Sequence, residues 1–229
     1  NWRASVRGVG LYMHGTPDAV IIPSSPSLDI TGNQVTMLVL FSNPTNTDRK
    51  LLSKSQNATY TTPFSTYGLH YNSSRTIDMR IGSTSFGTSG TTIASTGSAV
   101  VVGVYDGAKM RVYINGVEVG NTNKTGAIPS SAYGVYIGQN IDAGQRLTAD
   151  VALAAIWNRA LQPGEVAALS LNPWQVHRPL RRYTINRPII NKDGALLWNT
   201  RANADLDRAA LWNTRANTDL DRALLWNTK

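Results

Sequence analysis

The chain contains no cysteine. That excludes a disulfide framework, a zinc ribbon, an iron–sulfur centre and a cysteine nucleophile together. At 229 residues none of these is needed for stability, because folding a chain of this length removes roughly 70% of its surface from water. Long apolar runs are missing too. The most continuous, Ala99–Tyr105 and Val151–Trp157, are far short of the roughly 18 residues a membrane span requires. The reading is a soluble protein with no membrane partner, and Asn1 in place of Met predicts a processed or truncated start.

Residue types that carry catalysis are scarce. Glutamate occurs only as Glu118 and Glu165, and the three histidines, His14, His70 and His177, are isolated, without H-x-x-x-H or H-x-H spacing for a metal. Each histidine is expected in a loop or on the surface. No nucleophile elbow, phosphate loop or dinucleotide fingerprint is present. Sugar hydrolysis needs two carboxylates a few ångström apart with one of them protonated. The aspartates are scattered singly, mostly at predicted turns where Asp serves the backbone. The chain therefore reads as a non-enzyme with no catalytic residues and no metal site.

What is present is a succession of short strands. Lys109–Gly120 places Met110, Val112 and Ile114 on one face before Asn115-Gly116, a dipeptide that favours a two-residue hairpin turn. The run Ala99–Tyr105, ended by Asp106-Gly107, predicts a third antiparallel strand beside it. Further strands are expected at 19–22, 35–41, 67–71, 76–81, 133–137 and 148–157. One helix is predicted over 162–171, with Pro163 in its first turn, Glu165 at the positive end of its dipole and Asn172-Pro173 as the stop. Many strands and one late helix predict an all-β, two-sheet antiparallel sandwich.

The C-terminal tail is distinct. Residues 1–174 carry 12 Lys and Arg against 9 Asp and Glu, a net of +3, whereas 175–229 carry 10 against 5, a net of +5. A basic Pro-containing linker (175–194) holds Arg178, Arg181, Arg182 and Arg187, which suit a phosphate, an acidic protein surface or plain solvent. Beyond it, Ala195–Arg208 recurs as Ala209–Arg222 with two changes, and a third copy begins at Ala223. The period is 14. Strand-like repeats are favoured over helical ones, because a heptad seam through Trp198 and Ala202 meets Asp205. A repeat this short cannot build its own core, so Trp198, Trp212, Trp226, Leu206 and Leu220 are expected to anchor the tail on a neighbouring chain. Upstream, Tyr60, Phe64, Tyr67 and Tyr71 cluster around Pro63. Exposed, they would stack on sugar rings; otherwise they fill a sheet edge or an oligomer interface.

Several motifs in order also carry a family resemblance: Asp18–Ile30, Tyr105-Asp-Gly, Arg111–Gly120, Val135–Gly138 and Ile156-Trp-Asn-Arg-Ala-Leu161. Together, over about residues 8–174, they resemble the laminin-G-like branch of the concanavalin A-like jelly rolls. The resemblance implies a jelly-roll sandwich that binds glycans or proteins. The ending Leu169-Ser-Leu-Asn-Pro-Trp-Gln175 is similar to laminin-G-like proteins of tailed bacteriophages and prophages, which implies a virion component on the particle exterior: capsid decoration, head fibre or tail fibre. Phage capsid or tail proteins, further copies of the chain and a host glycan are the implied partners, with no specific nucleic acid. Many relatives have an Asp-Glu pair before the Asn-Arg-Ala-Leu motif, where this chain has Ala152 and Leu153. The acidic oxygens calcium prefers are missing there, which leaves Asp142 and Asp150 as the nearby carboxylates. The expected organisation is a jelly roll over 1–174, the linker over 175–194 and the repeat tail over 195–229.

Overall fold

The computed structural model describes residues 10–15, 18–45, 47–59, 61, 64–88 and 91–177, with backbone alone at 2–5, 8–9, 189–190, 196–199 and 211–214. In chain order the strands are β1 (Trp2–Ser5), β2 (Gly8–His14), β3 (Val20–Ile22), β4 (Val35–Ser42), β5 (Arg49–Ser55), β6 (Ser65–Tyr71) and β7 (Ile77–Gly82). They continue with β8 (Thr84–Gly87), β9 (Ser98–Tyr105), β10 (Lys109–Ile114), β11 (Val117–Asn123), β12 (Val135–Ile137) and β13 (Thr148–Trp157). Helix α1 (Pro163–Leu171) and a 3₁₀ turn (Pro173–His177) follow. The chain divides into two compact units, Asn1–Arg178 and Pro179–Lys229.

The first unit is an all-β sandwich of two antiparallel sheets. One sheet has seven strands in the order β1-β2-β13-β4-β9-β10-β11, and the other has six in the order β3-β12-β5-β6-β7-β8. Between them lies the main core, to which one sheet contributes Met37, Val39, Phe41, Val101 and Tyr105 and the other Leu52, Tyr67, Leu69, Met79 and Ile81. Gly103 of β9 marks how closely the sheets approach, since a Cβ there would come 2.8 Å from Leu69 Cδ2 and 3.1 Å from Met79 Sδ. The β10–β11 hairpin turns at Asn115 (φ 51°) and Gly116 (φ 86°), the left-handed pair that the Asn-Gly dipeptide predicts.

A second core covers the other face of the seven-stranded sheet. Leu38, Leu40, Val100, Val102 and Leu153 meet Leu161, Val166 and Leu169 of the α1 region. Every residue of β4 is consequently buried. Two hydrogen bonds through one hydroxyl fix the approach to the helix: Thr36 Oγ1 donates to the Arg159 carbonyl at 2.8 Å and accepts from the Leu161 N–H at 3.0 Å. At the helix start, Glu165 accepts from the Gln162 N–H and takes both ends of the Arg159 guanidinium, at 2.7 and 2.8 Å.

The predicted strands and helix form, but β1, β2, β5 and β8 were not anticipated, and His70 is buried within β6 instead of lying in a loop or on the surface. In the second unit, β14 (Ile189–Ile190), β15 (Leu196–Asn199) and β16 (Leu211–Thr214) form a three-stranded antiparallel sheet. The first two repeats thus pair as strands, with Trp198 opposite Trp212.

Thr36 is fully buried. Thr36→Val keeps its shape but strands a carbonyl and an N–H, and should lower unfolding free energy by about 2 kcal/mol in urea titration. An unchanged midpoint would show that the helix docks without it.

Candidate functional site

The outer face of the six-stranded sheet carries the candidate site. Inward positions along β6 and β7 are Tyr67, Leu69, Tyr71, Ile77, Met79 and Ile81, so the alternating positions Gly68, His70, Asp78 and Arg80 face away from the core. One register row crosses all six strands: Ile21, Tyr136, Ser53, Gly68, Arg80 and Ser85. Exposure falls towards the middle of this row. Ile21 and Ser85 are exposed at its ends, Tyr136 and Arg80 are half-buried, and Ser53 and Gly68 are buried. The row is therefore a trough with a polar floor. Gly68 has no room for a side chain, since a Cβ would sit 2.9 Å from the Leu52 carbonyl oxygen. Phe64, 36% exposed, lies with its ring 5.3 Å from the Arg80 guanidinium carbon.

The adjacent row is Lys50, His70 and Asp78. His70 Nε2 lies 3.1 Å from Asp48 Oδ1, and Nδ1 lies 3.7 Å from Asp78 Oδ2, yet neither approach has hydrogen-bond alignment. Burial alone would raise Asp78. The His70 and Asn72 contacts, with Asn72 Nδ2 donating to its Oδ1 at 2.8 Å, outweigh that and hold the carboxyl below its ordinary value. Asp48 (φ 60°), Ala143 (φ 62°) and Gln145 (φ 48°) are all left-handed although none is glycine. Such conformations gather where surrounding structure enforces them. The loop 138–147 is tied to this row by the Lys50 N–H, which donates to the Gln145 carbonyl at 3.1 Å, and by Gln145 Nε2, which donates to Asp48 Oδ1 at 3.3 Å.

Of the aromatic cluster's described members, Phe64 alone reaches solvent. Tyr67 and Tyr71 are corrections: both are fully buried, their hydroxyls donating to the Leu28 carbonyl at 2.8 Å and the Ile93 carbonyl at 2.7 Å. They are core residues whose polar tips find internal partners, and burial raises both phenols above their ordinary value. Tyr60 lies outside the described residues, as do Arg178, Arg181, Arg182, Arg187, Leu206, Leu220 and Trp226. Tyr136, Ser53 and Arg80 carried no sequence signal beyond their place between apolar neighbours.

Calcium takes hard oxygen donors. Asp150 is buried and accepts from Asn43 Nδ2 at 2.8 Å, while Asp142 Oδ1 caps the Gly144 N–H at 2.8 Å. Among the described residues no three His, Cys, Asp or Glu side chains converge. The loop does present buried amide oxygens without partners on Gln139, Asn140 and Gln145. Asn140 Oδ1 and Asp142 Oδ1 both border the space a Gly144 Cβ would fill, at 3.2 and 2.9 Å. These are the side chains that would hold a calcium ion, and a set with so little negative charge would hold it weakly. A separate groove of about 320 Å³ lies between the 26–34 loop and Asn158. Its one carboxylate, Asp29, is held below its ordinary value by hydrogen bonds from the Ser131 N–H and the Ser130 hydroxyl.

Comparison with known proteins agrees with this architecture. The chain belongs to the concanavalin A-like lectin/glucanases superfamily, whose laminin-G-type model matches residues 14–167. No curated protein matches the sequence. Among solved structures it is similar to domain 4 of an extracellular arabinanase from Geobacillus stearothermophilus, in complex with arabinotriose, at 14% identity and a TM-score of 0.58 over 74% of this chain and 80% of that one. The binding domain of Paraclostridial Mosquitocidal Protein 1 is similar at 13% identity and 0.62, over 94% and 57%. Trypanosoma rangeli sialidase is similar at 17% identity and 0.54, over 76% of this chain but 28% of the enzyme. At these identities the likeness is one of fold.

The site makes a pH prediction. Lys50 is 2% exposed, and burial, with the nearby Arg80 charge, pushes its ammonium from 10.5 down to about 7. Burial lowers Lys54 as well. Between about pH 7 and 10.5 the unfolded chain holds a proton on Lys50 that the folded chain has released, so folding gains stability as pH rises through that window. Unfolding free energy should rise by about 2 kcal/mol from pH 7 to 9, with a shallower rise in Lys50→Met. Equal slopes in the two proteins would contradict the assignment.

Proposed function

We propose that the sandwich is a glycan-binding module whose ligand lies across the trough Tyr136–Ser53–Gly68–Arg80. The observation that carries this reading is the row itself: a polar floor flanked by Tyr136 on one side and by Phe64 over Arg80 on the other. Aromatic faces meet the C–H faces of sugars, and the polar floor meets their hydroxyls. Its fold neighbour solved with arabinotriose supports the reading.

The module binds and does not hydrolyse. Glycoside cleavage requires one carboxyl kept protonated beside an ionised one, and two carboxylates of the sandwich are shifted the opposite way. Hydrogen bonds from Arg159 and the Gln162 N–H hold Glu165 ionised, down to about 2, and Asp78 is held below its ordinary value. Isothermal titration of the full chain with bacterial surface polysaccharides tests this. A saturable isotherm weakened about tenfold or more by Tyr136→Ala and Phe64→Ala, with no release of reducing ends, is the expected result. Retained affinity in both variants moves the site elsewhere, and sugar release restores the hydrolase.

A second proposal concerns where the module is borne. The phage-like Asn172-Pro-Trp-Gln175 ending, the basic linker and the 14-residue repeats, with Trp198 opposite Trp212 in paired strands, support a decoration or fibre protein on a tailed-phage exterior. In this reading the tail's tryptophans and leucines bury against capsid or tail proteins, or against further copies, while the arginines meet acidic groups. Replacing Trp198, Trp212 and Trp226 together with Ala should cut incorporation into particles about tenfold or more. Normal incorporation would end the anchoring role.

A further inference from the structure

We propose that the trough reads an acidic glycan, with Arg80 as the residue that takes the sugar's carboxylate. The inference rests on the glycan-binding reading and names its ligand class. Among the described residues the Arg80 guanidinium makes no ion pair within 4 Å and its Nε is buried without a hydrogen-bond partner; it lies against the Phe64 ring and feels the Asp78 carboxylate only at longer range. A half-buried cation left in that state costs free energy that a ligand anion recovers. The carboxylates around it are engaged. Asp78, two residues away on the same face, accepts from Asn72 and faces His70, and Asp48 accepts from Gln145 and faces His70. Lys50, the other cation of the face, is pushed towards its neutral form by burial and by Arg80 itself, so Arg80 carries the positive charge of the trough.

The surroundings fit a sugar acid better than a free anion. Gly68 puts no side chain between Arg80 and Ser53, whose Oγ is buried and unpartnered. Two strand spacings, about 10 Å, separate Arg80 from Ser53. That is the span of one to two sugar rings, with a carboxylate on the guanidinium and the remaining rings running along the row. Tyr136 then meets the next ring. The planar fork of Arg suits a carboxylate in a way a lysine does not, and the Phe64 ring, 5.3 Å from the guanidinium carbon, flanks it.

Two acid–neutral pairs test this by isothermal titration of the full chain: trigalacturonate against its methyl ester, and sialyllactose against lactose. The expected result is a preference of about tenfold or more for the acid in at least one pair. That preference should vanish in Arg80→Gln and survive in part in Arg80→Lys, with binding of the neutral partner retained. The first pair reports a hexuronate and the second a nonulosonate. Circular dichroism checks folding, which Arg80→Gln should leave intact because Arg80 holds no ion pair. Equal affinity within both pairs, no affinity for either acid, or a preference that survives Arg80→Gln overturns the inference. Neutral binding that persists leaves the glycan module standing, whereas failure of all four probes and of the polysaccharides takes both readings down.

Discussion

Burial of β4 on both faces is the constraint on which the rest of the sandwich depends. All eight of its residues are enclosed, so the seven-stranded sheet must be covered twice: by the opposing sheet on one side and by α1 on the other. Antiparallel sheets usually solvate one face. The six-stranded sheet is covered less evenly: β6 and all of β5 but Arg49 are buried, whereas Ile21 and Ser85 at its edges are exposed and Tyr136 and Arg80 are half-buried. Its outer face gathers the ionisable row of Lys50, His70 and Asp78 and the polar row beside it. The Thr36 hydroxyl and the Arg159–Glu165 pair hold the approach to the helix over the seven-stranded sheet.

What the sequence made legible follows the strength of local signals. Asn115-Gly116 forced a left-handed turn, Pro163 and Glu165 marked a helix start, and continuous apolar runs marked β4 and β9, which are buried on both faces. The candidate site was illegible for the opposite reason. Strand β5, Arg-Lys-Leu-Leu-Ser-Lys-Ser, breaks the two-residue period with register shifts at Lys50/Leu52 and Lys54/Ser55, and it carries two lysines that end up buried. Neither composition nor periodicity marks such a segment as a central strand. Yet it brings Lys50 and Ser53 to the face that matters.

The tyrosines illustrate a subtler failure. A cluster of aromatics around a proline looks like a surface feature, but Tyr67, Leu69 and Tyr71 are one inward face of β6, and the two tyrosine hydroxyls reach the Leu28 and Ile93 carbonyls. The alternate position in the same strand, His70, turns out to face the site. A shift of attention by one residue would have exchanged the two assignments, as the two-residue period of a strand dictates. Arg80 is hidden in the same manner, since what distinguishes it is the lack, among the described residues, of an ion pair within 4 Å, and an ion pair is a tertiary property.

The central claim is that ligand lies on the outer face of the six-stranded sheet. Nitrogen-edited NMR of the full chain during titration with a binding polysaccharide tests it most directly, through the side-chain Nε–H signal of Arg80 and the amide signals of Ser53, Gly68 and Tyr136. The account predicts that these four signals move together and saturate together while those of α1 and the β10–β11 hairpin stay still. Movement confined to the 26–34 loop, or to the helix-covered side, with Arg80 and Gly68 unmoved, would contradict it.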